Sequence, residues 1–554
     1  MAELGTEHVA VTVGGEPMRA TDEERCRHAF VCGMTGSGKT NLMLAMAEEG
    51  IARKEGLVYV DGKGDATVLS RIHEIAGRHG RAGDVMVLNF NAAPVEGGER
   101  RSNTINPFAT CDARTVSDIV VSCMEDTTGE GAMWKGRSVM MVGVVTRVLA
   151  WLRDEGLIAL NGSSIRDHLN LRKIIDFSDP AAYPGMPAGL RSSVAAYLTS
   201  LPGYVAEKKY KQSHTALDQH GFLEMQATRA TTALADDYAH VFARDDGEVH
   251  MDEIHAGKRI LVVLLPTVAR PRYESAFLGR LVLTLLRELL AGKLRQREDL
   301  AFEGRTPEAE GVFNVILDEF SHYVTPDIEP MVAQARSFGF SFAFASQTTV
   351  PGASDPDGRA MGAVVSACGT KYLMRVDGRD AMRMRDFFVV DHAEHFTLTG
   401  LPPGEGLMLR GGDVRLFAGR DMSGTKGARV RLNPGRVSAA VVARDERIAR
   451  LAGADRGTAG FTDGSVRCEV TGDHGDERSG DLDGVELGLD FDDDLPAFDP
   501  GADPLATVSP SPTGIGIFPD GPPTLDAVVA VREAIRSCVV HARASVPADG
   551  AVVP

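Results

Sequence analysis

Paired cysteines, a secretory leader and a membrane-length apolar run are all missing from this 554-residue sequence. The seven cysteines (26, 32, 111, 123, 368, 468 and 538) stand singly, with no CxxC pair. That spacing excludes a disulfide framework and offers no cysteine zinc site, as expected of a chain in a reducing cytosol. The N-terminus is polar and mixed in charge, unlike a signal peptide. A spanning helix needs ~20 apolar residues. The best run, 139–152, is shorter and contains Arg147, so it reads as a buried core helix and no direct membrane span is expected. No internal repeat is visible. The net charge is −18, but the deficit of positive charge is local: residues 455–503 hold 15 acidic and 3 basic residues. The remainder is near neutral, so overall acidity does not argue against a nucleic-acid partner.

What is present begins with a complete GxxxxGK[ST] segment, Gly33-Met34-Thr35-Gly36-Ser37-Gly38-Lys39-Thr40. It follows a short apolar run, Ala29-Phe30-Val31-Cys32, and precedes a helix-prone stretch, the strand–loop–helix context the motif requires. Its glycines let backbone N–H groups turn inward around phosphates, and the helix N-terminus adds positive potential. Lys39 supplies a point charge and Thr40 a hydroxyl ligand for Mg²⁺.

A second element lies far downstream. Val315-Ile316-Leu317-Asp318-Glu319-Phe320 is an apolar run ending in two carboxylates, the pattern of a buried parallel strand with acids at its tip. Ligands of open α/β sheets bind beyond the carboxyl ends of the strands. Asp318 is therefore expected in the Mg²⁺ shell, and Glu319 is expected to orient and polarise an attacking water. Together the two elements predict a P-loop ATPase that uses ATP and Mg²⁺.

The length predicts two or three domains at ~100–200 residues each. Strands are expected at 29–32, 57–61, 85–90, 259–265, 315–320, 341–345, 372–376 and 406–409, with a hairpin in the lead-in around Gly14-Gly15. Helical periodicity dominates 116–124, 132–154, 164–175, 188–200 and 215–242. The expected fold class is α/β with a parallel-rich sheet. Residues 1–110 form the first part of the motor, 111–245 an all-α insertion, and 246–430 the second part. Residues 431–554 form an acidic, largely disordered tail with a short helix candidate at 525–542, which either docks on a partner or packs back on the body.

With these residues set out, the chain resembles the type IV secretion coupling ATPases of the TraG/TraD class, most of all the DotL/IcmO and plasmid TrbC subgroup. The likeness is carried by an ordered series of segments. They include Leu57-Val58-Tyr59-Val60-Asp61-Gly62-Lys63-Gly64-Asp65, Ser102 to Phe108, Met133-Trp134-Lys135-Gly136-Arg137 and Leu201-Pro202-Gly203-Tyr204. Gln219-His220-Gly221-Phe222, Arg259 to Pro266 and Ala333 to Phe340 continue it.

The resemblance implies a RecA-like motor that assembles as a homo-hexamer with ATP sites between neighbouring subunits. In that family an Arg upstream of a sensor Gln acts in trans on the γ-phosphate. Arg336 and Gln347, eleven positions apart, fit the pattern. Lys63 and Asp65 match the family's strand-end cluster, pairing near the nucleotide, across the subunit interface, or simply as a structural ion pair. Trp134, Lys135 and Arg137 read either as a base-stacking group or as a core Trp with flanking surface charges.

Family members carry N-terminal transmembrane helices, and none is matched here. The expectation is a cytoplasmic chain, peripheral at the inner face of the plasma membrane only through partners. The implied function is ATP-driven recruitment of DNA (single-stranded or relaxase-bound) or secreted protein, and its delivery to a type IV secretion channel. The alternatives are a soluble HerA/FtsK-like DNA-processing ATPase, or a recruitment platform whose ATP binding only sets assembly.

Overall fold

Leu57, Tyr59, Ile316, Ala343 and Ala345 belong to one buried apolar cluster, while their neighbours Val58, Val60, Val315, Leu317, Phe342 and Phe344 belong to another. Side chains alternate across a strand, so this sheet is covered on both faces and its strands read as unbroken apolar runs. The computed structural model describes residues 7–12, 17–91, 100–124, 130–242, 247–267, 269–306, 311–325, 328–348, 355, 357–378, 380–381, 398–422 and 424–432. The chain divides into two units, 1–461 and 462–554. The expected disordered tail and the 525–542 helix lie outside the described residues.

The strands are β1 (Glu7–Thr12), β2 (Pro17–Ala20), β3 (Ala29–Cys32), β4 (Gly56–Asp61), β5 (Val85–Asn89) and β6 (Ile260–Leu264). They continue with β7 (Phe313–Asp318), β8 (Phe340–Ser346), β9 (Thr370–Met374), β10 (Glu405–Arg410) and β11 (Asp413–Gly419). They form one 11-stranded sheet in the order β2-β1-β11-β10-β9-β3-β8-β7-β4-β6-β5. From β9 to β5 every pairing is parallel, and the β10, β11, β1 and β2 side is antiparallel. The expected parallel-rich α/β sheet is what forms. The hairpin in the lead-in is β1 paired antiparallel with β2.

Between β5 and β6 the described chain is helical: Ala113–Ser122, Glu130–Asp154, Gly162–Asp167, Leu171–Ser178, Ala188–Ser200 and His214–Thr232. The single helix expected at 164–175 is two, because Asn170 takes an extended backbone and its side chain accepts from Arg172 N to start the second. The helix expected to run to 242 stops at Thr232 and widens into a π-turn, Ala233–Asp237. Tyr238 then turns inward and donates its hydroxyl to Glu274 at 2.7 Å. One cluster runs from the sheet (Val58, Val315, Phe342) into these helices (Val116, Met141, Val145, Leu198), so insertion and sheet share a core. A 31-residue helix, Arg272–Phe302, was not among the expectations.

The N-terminal ends of β4 and β7 are tied by a buried polar network. Arg25 makes a bidentate pair with Glu55 at 2.9 and 2.7 Å and reaches Asn314 at 3.0 Å, and Asn314 returns a bond to Glu55 at 2.8 Å. Removing one member of a buried pair strands the other. Arg53 stays on Glu55 at 2.8 Å, which places the expected loss for Arg25→Met at the low end, about 3 kcal/mol. Urea unfolding followed by circular dichroism checks this; an unchanged midpoint would contradict it.

Candidate functional site

The phosphate loop is shaped by what glycine permits. Gly36 and Gly38 have φ of 78° and 103°, a region that L side chains rarely adopt. At Gly38 a Cβ would also meet Gly404 N at 2.9 Å. The loop is bracketed by its surroundings. Gly33 N donates to Ser346 O at 3.3 Å, Met34 N to Arg375 O at 2.8 Å, and Gly404 N to Ser37 O at 2.8 Å. The loop therefore lies across the carboxyl ends of β8 and β9. The helix Lys39–Ala52 begins at once, with Thr40 in its first turn. Lys39 is buried and donates to Gly33 O at 2.5 Å and Met34 O at 3.3 Å. Burial pushes its ammonium below the ordinary lysine value, although Glu319 nearby opposes the shift.

β7 delivers the two acids. Asp318 is its last residue, and Glu319 follows in the left-handed region with φ 51°. That sharp turn needs room, and Gly62 gives it: a Cβ there would lie 2.8 Å from Glu319 Cβ. Both acids are buried. Asp318 Oδ1 accepts from Glu319 N at 2.9 Å. Glu319 Oε1 accepts from Gln347 Nε2 at 2.7 Å and from Lys63 Nζ at 2.9 Å. Asp318 Oδ2, Glu319 Oε2 and Ser37 Oγ have no partner among the described residues.

The two carboxyls are driven in opposite directions. Burial pushes Asp318 above the ordinary carboxylate value, with Lys63 only partly offsetting it. Burial would also raise Glu319, but the Gln347 amide and the Lys63 ammonium outweigh it and hold the group below its ordinary value.

The structure thus gathers Gly33, Thr35, Gly36, Ser37, Gly38, Lys39, Thr40, Asp318, Glu319 and Gln347 at one end of the sheet. Thr35 Oγ1 donates to Gln347 Oε1 at 3.1 Å, joining the loop to the Glu319 cluster. Arg336 is not part of this group. It opens a 3₁₀ turn, Arg336–Phe338, just before β8, whereas Gln347 follows the last residue of β8. The seven-residue strand separates them by ~20 Å. At that far end Arg336 pairs with Glu23 at 3.1 Å, and Glu23 also holds Arg27 at 2.7 Å.

Within one chain Lys63 and Asp65 do not pair with each other. Lys63 goes to Glu319, and Asp65 instead caps the helix Ala66–Arg78, accepting from Thr67 N at 2.8 Å. Trp134 packs against the helical core, tilted on Phe222 at 5.6 Å, with the Arg137 guanidinium 5.6 Å over its ring.

Sequence reasoning missed Asp61 and Gly62 as parts of the site, and the partner of Lys63. Asp61 is in register with Asp318 on the adjacent parallel strand. Its oxygens accept from Lys63 N at 2.9 Å and Asp65 N at 2.6 Å. Burial pushes the Asp61 carboxyl up to about 7. The available signal was two apolar strands that both end in an acid.

The residues fit a nucleoside triphosphate with a hard divalent cation. The helix N-terminus and Lys39 suit phosphate, while the Thr40 hydroxyl and the unpartnered Asp318 Oδ2 are oxygen donors of the kind Mg²⁺ takes. Among the described residues no helix is long and apolar enough to cross a membrane.

No protein-family model matches the chain. It is 33% identical over 353 residues to the type 4 coupling protein DotL of Legionella pneumophila subsp. pneumophila strain Philadelphia 1. That match covers 60% of this chain and 45% of DotL, so the chain spans less than half the length of the curated relative it matches. Among solved structures, the bacterial conjugative coupling protein TrwBdeltaN70, in its trigonal form with sulphate, superposes with a TM-score of 0.50 at 15% identity. The superposition covers 77% of this chain and 92% of that one. TrwB in complex with ADP and Mg²⁺ gives a TM-score of 0.48 at 16% identity, with the same coverage. The resemblance to type IV coupling proteins therefore holds in sequence, and the fold is TrwB-like.

Proposed function

We propose that this chain is a P-loop ATPase that couples ATP hydrolysis to the recruitment of DNA or protein and its delivery to a type IV secretion channel. The observation that carries the reading is the meeting of the phosphate loop with Asp318, Glu319 and Gln347 at the carboxyl ends of β3, β7 and β8. The sequence likeness to DotL supports a role in secretion.

In this reading the loop N–H groups and Lys39 bind the β- and γ-phosphates, and Thr40 and Asp318 hold Mg²⁺. When bound, the ion supplies positive charge against the phosphate oxygens. Glu319 orients the attacking water. Its oxygen bonds to the γ-phosphorus, the bond to the ADP oxygen breaks with its electron pair, and a water proton passes to Glu319. Gln347 links this carboxylate to Thr35 of the loop. Arg336 lies at the other end of β8; in this reading it serves the site of a neighbouring protomer in the expected homo-hexameric ring. The helices of 111–245 are assigned to substrate, and the chain to the cytoplasmic side of the channel.

Steady-state hydrolysis by the full chain with Mg·ATP, with and without single-stranded DNA, tests the reading. Turnover that requires Lys39 and rises with DNA is expected. Nucleotide binding with no turnover under either condition would contradict it.

A further inference from the structure

Glu319 is held at one oxygen and left open at the other. Both of its partners, Lys63 Nζ at 2.9 Å and Gln347 Nε2 at 2.7 Å, sit on Oε1, while Oε2 is buried without a partner among the described residues. We propose that Lys63 is a positioning residue: with Gln347 it pins Oε1 of Glu319, so that Oε2 is the oxygen presented to the attacking water. This rests on the ATPase reading above and adds a residue to its machinery.

Three features separate this arrangement from an ordinary structural ion pair. First, the lysine is mounted rigidly. Its backbone N–H is held by Asp61 Oδ1 at 2.9 Å, and Asp61 is in register with Asp318 across the β4–β7 pair. The turn that carries Lys63 therefore moves with the turn that carries Glu319. Second, a buried pair adds to stability only when its remaining lone pairs are satisfied. Here Glu319 is fully buried, Lys63 is partly exposed, and Oε2 has no partner among the described residues, a poor design for stability and a suitable one for accepting a proton. Third, the other oxygen, Oε1, is tied through Gln347 to Thr35, a residue of the phosphate loop, whose hydroxyl donates to the Gln347 carbonyl at 3.1 Å. The carboxylate is thus fixed at Oε1 from the turns after β4 and β8 at once.

The role is orientation, so its loss should appear in kcat and not in nucleotide affinity. In the full chain, Lys63→Met is expected to lower kcat by ~10-fold or more. The KM for ATP and the binding of a fluorescent ATP analogue stay within about twofold of wild type. Lys63→Arg, which retains a cation able to reach Oε1, restores most of the rate. A melting experiment without nucleotide reads the same contact independently of activity. Lys63→Met is expected to lower Tm by ~2 °C in the wild-type background and to have no effect in a Glu319→Ala background.

An unchanged kcat in Lys63→Met would overturn the assignment. So would weakened analogue binding at unchanged kcat, which would make Lys63 a nucleotide contact, or additive melting shifts. If the wild-type chain binds nucleotide but never turns it over, the ATPase reading fails on that result alone, and the melting cycle still decides whether Lys63 acts on Glu319.

Discussion

Glu319→Gln is expected to lower ATP turnover by ~10³-fold while the chain still binds nucleotide. The substitution preserves size and removes one acceptor. In the folded site, Oε1 faces two donors, Lys63 and Gln347. An amide placed there must turn its carbonyl toward them, because its NH₂ would otherwise oppose two N–H groups. The NH₂ then occupies the position of Oε2, and a donor confronts the water where an acceptor is needed. Nothing in the phosphate loop changes, so a fluorescent ATP analogue should bind as to wild type. Full turnover in this variant, measured by phosphate release, would remove Glu319 from the assigned role.

The second large effect is expected from Arg336→Ala. An arginine finger stabilises charge on the transferring phosphoryl group and is worth ~10³-fold or more in rate. Within one chain Arg336 cannot do this, since β8 places it at the opposite end of the sheet from Lys39 and Gln347. Its guanidinium rests on Glu23, and both side chains are half or more exposed. An exposed, solvent-screened pair of this kind is worth little, so a neighbour's phosphates can displace it. Loss of turnover with unchanged assembly, followed by sedimentation velocity alongside phosphate release, is the expected result. An Arg336→Ala chain that hydrolyses ATP at the wild-type rate would exclude the finger.

The parts of the fold that could be read in advance are those whose signal is local. The phosphate loop, the β7 run ending in Asp318-Glu319, and the continuous buried runs of β4 and β8 follow from short-range spacing. The helix Arg272–Phe302 also carries a regular pattern, with Phe277, Leu278, Leu281, Val282, Leu285, Leu286 and Leu289 all buried. Its charged surface residues and its place between two strong strands hid it. The break before Leu171 was hidden differently: Leu169, Leu171, Ile174 and Ile175 keep helical spacing across it, and only the Asn170 cap reveals the stop.

The contacts that set the chemistry were out of reach for another reason. Lys63 meets Glu319 only because β4 and β7 are neighbours with Asp61 opposite Asp318, a register that no local pattern encodes. The Arg336–Glu23 pair is likewise a product of where the strands begin.

The central claim is that each ATP site is completed by two protomers, and mixing two inactive variants tests it most directly. Glu319→Gln keeps its arginine and loses its water-orienting carboxylate; Arg336→Ala does the reverse. Co-assembled in equal amounts, about one interface in four of a head-to-tail ring pairs an intact Arg336 with an intact Glu319. The account predicts that ATP turnover, absent from each variant alone, returns in the mixture. A mixture as inactive as its components, although mixed rings form, would contradict it.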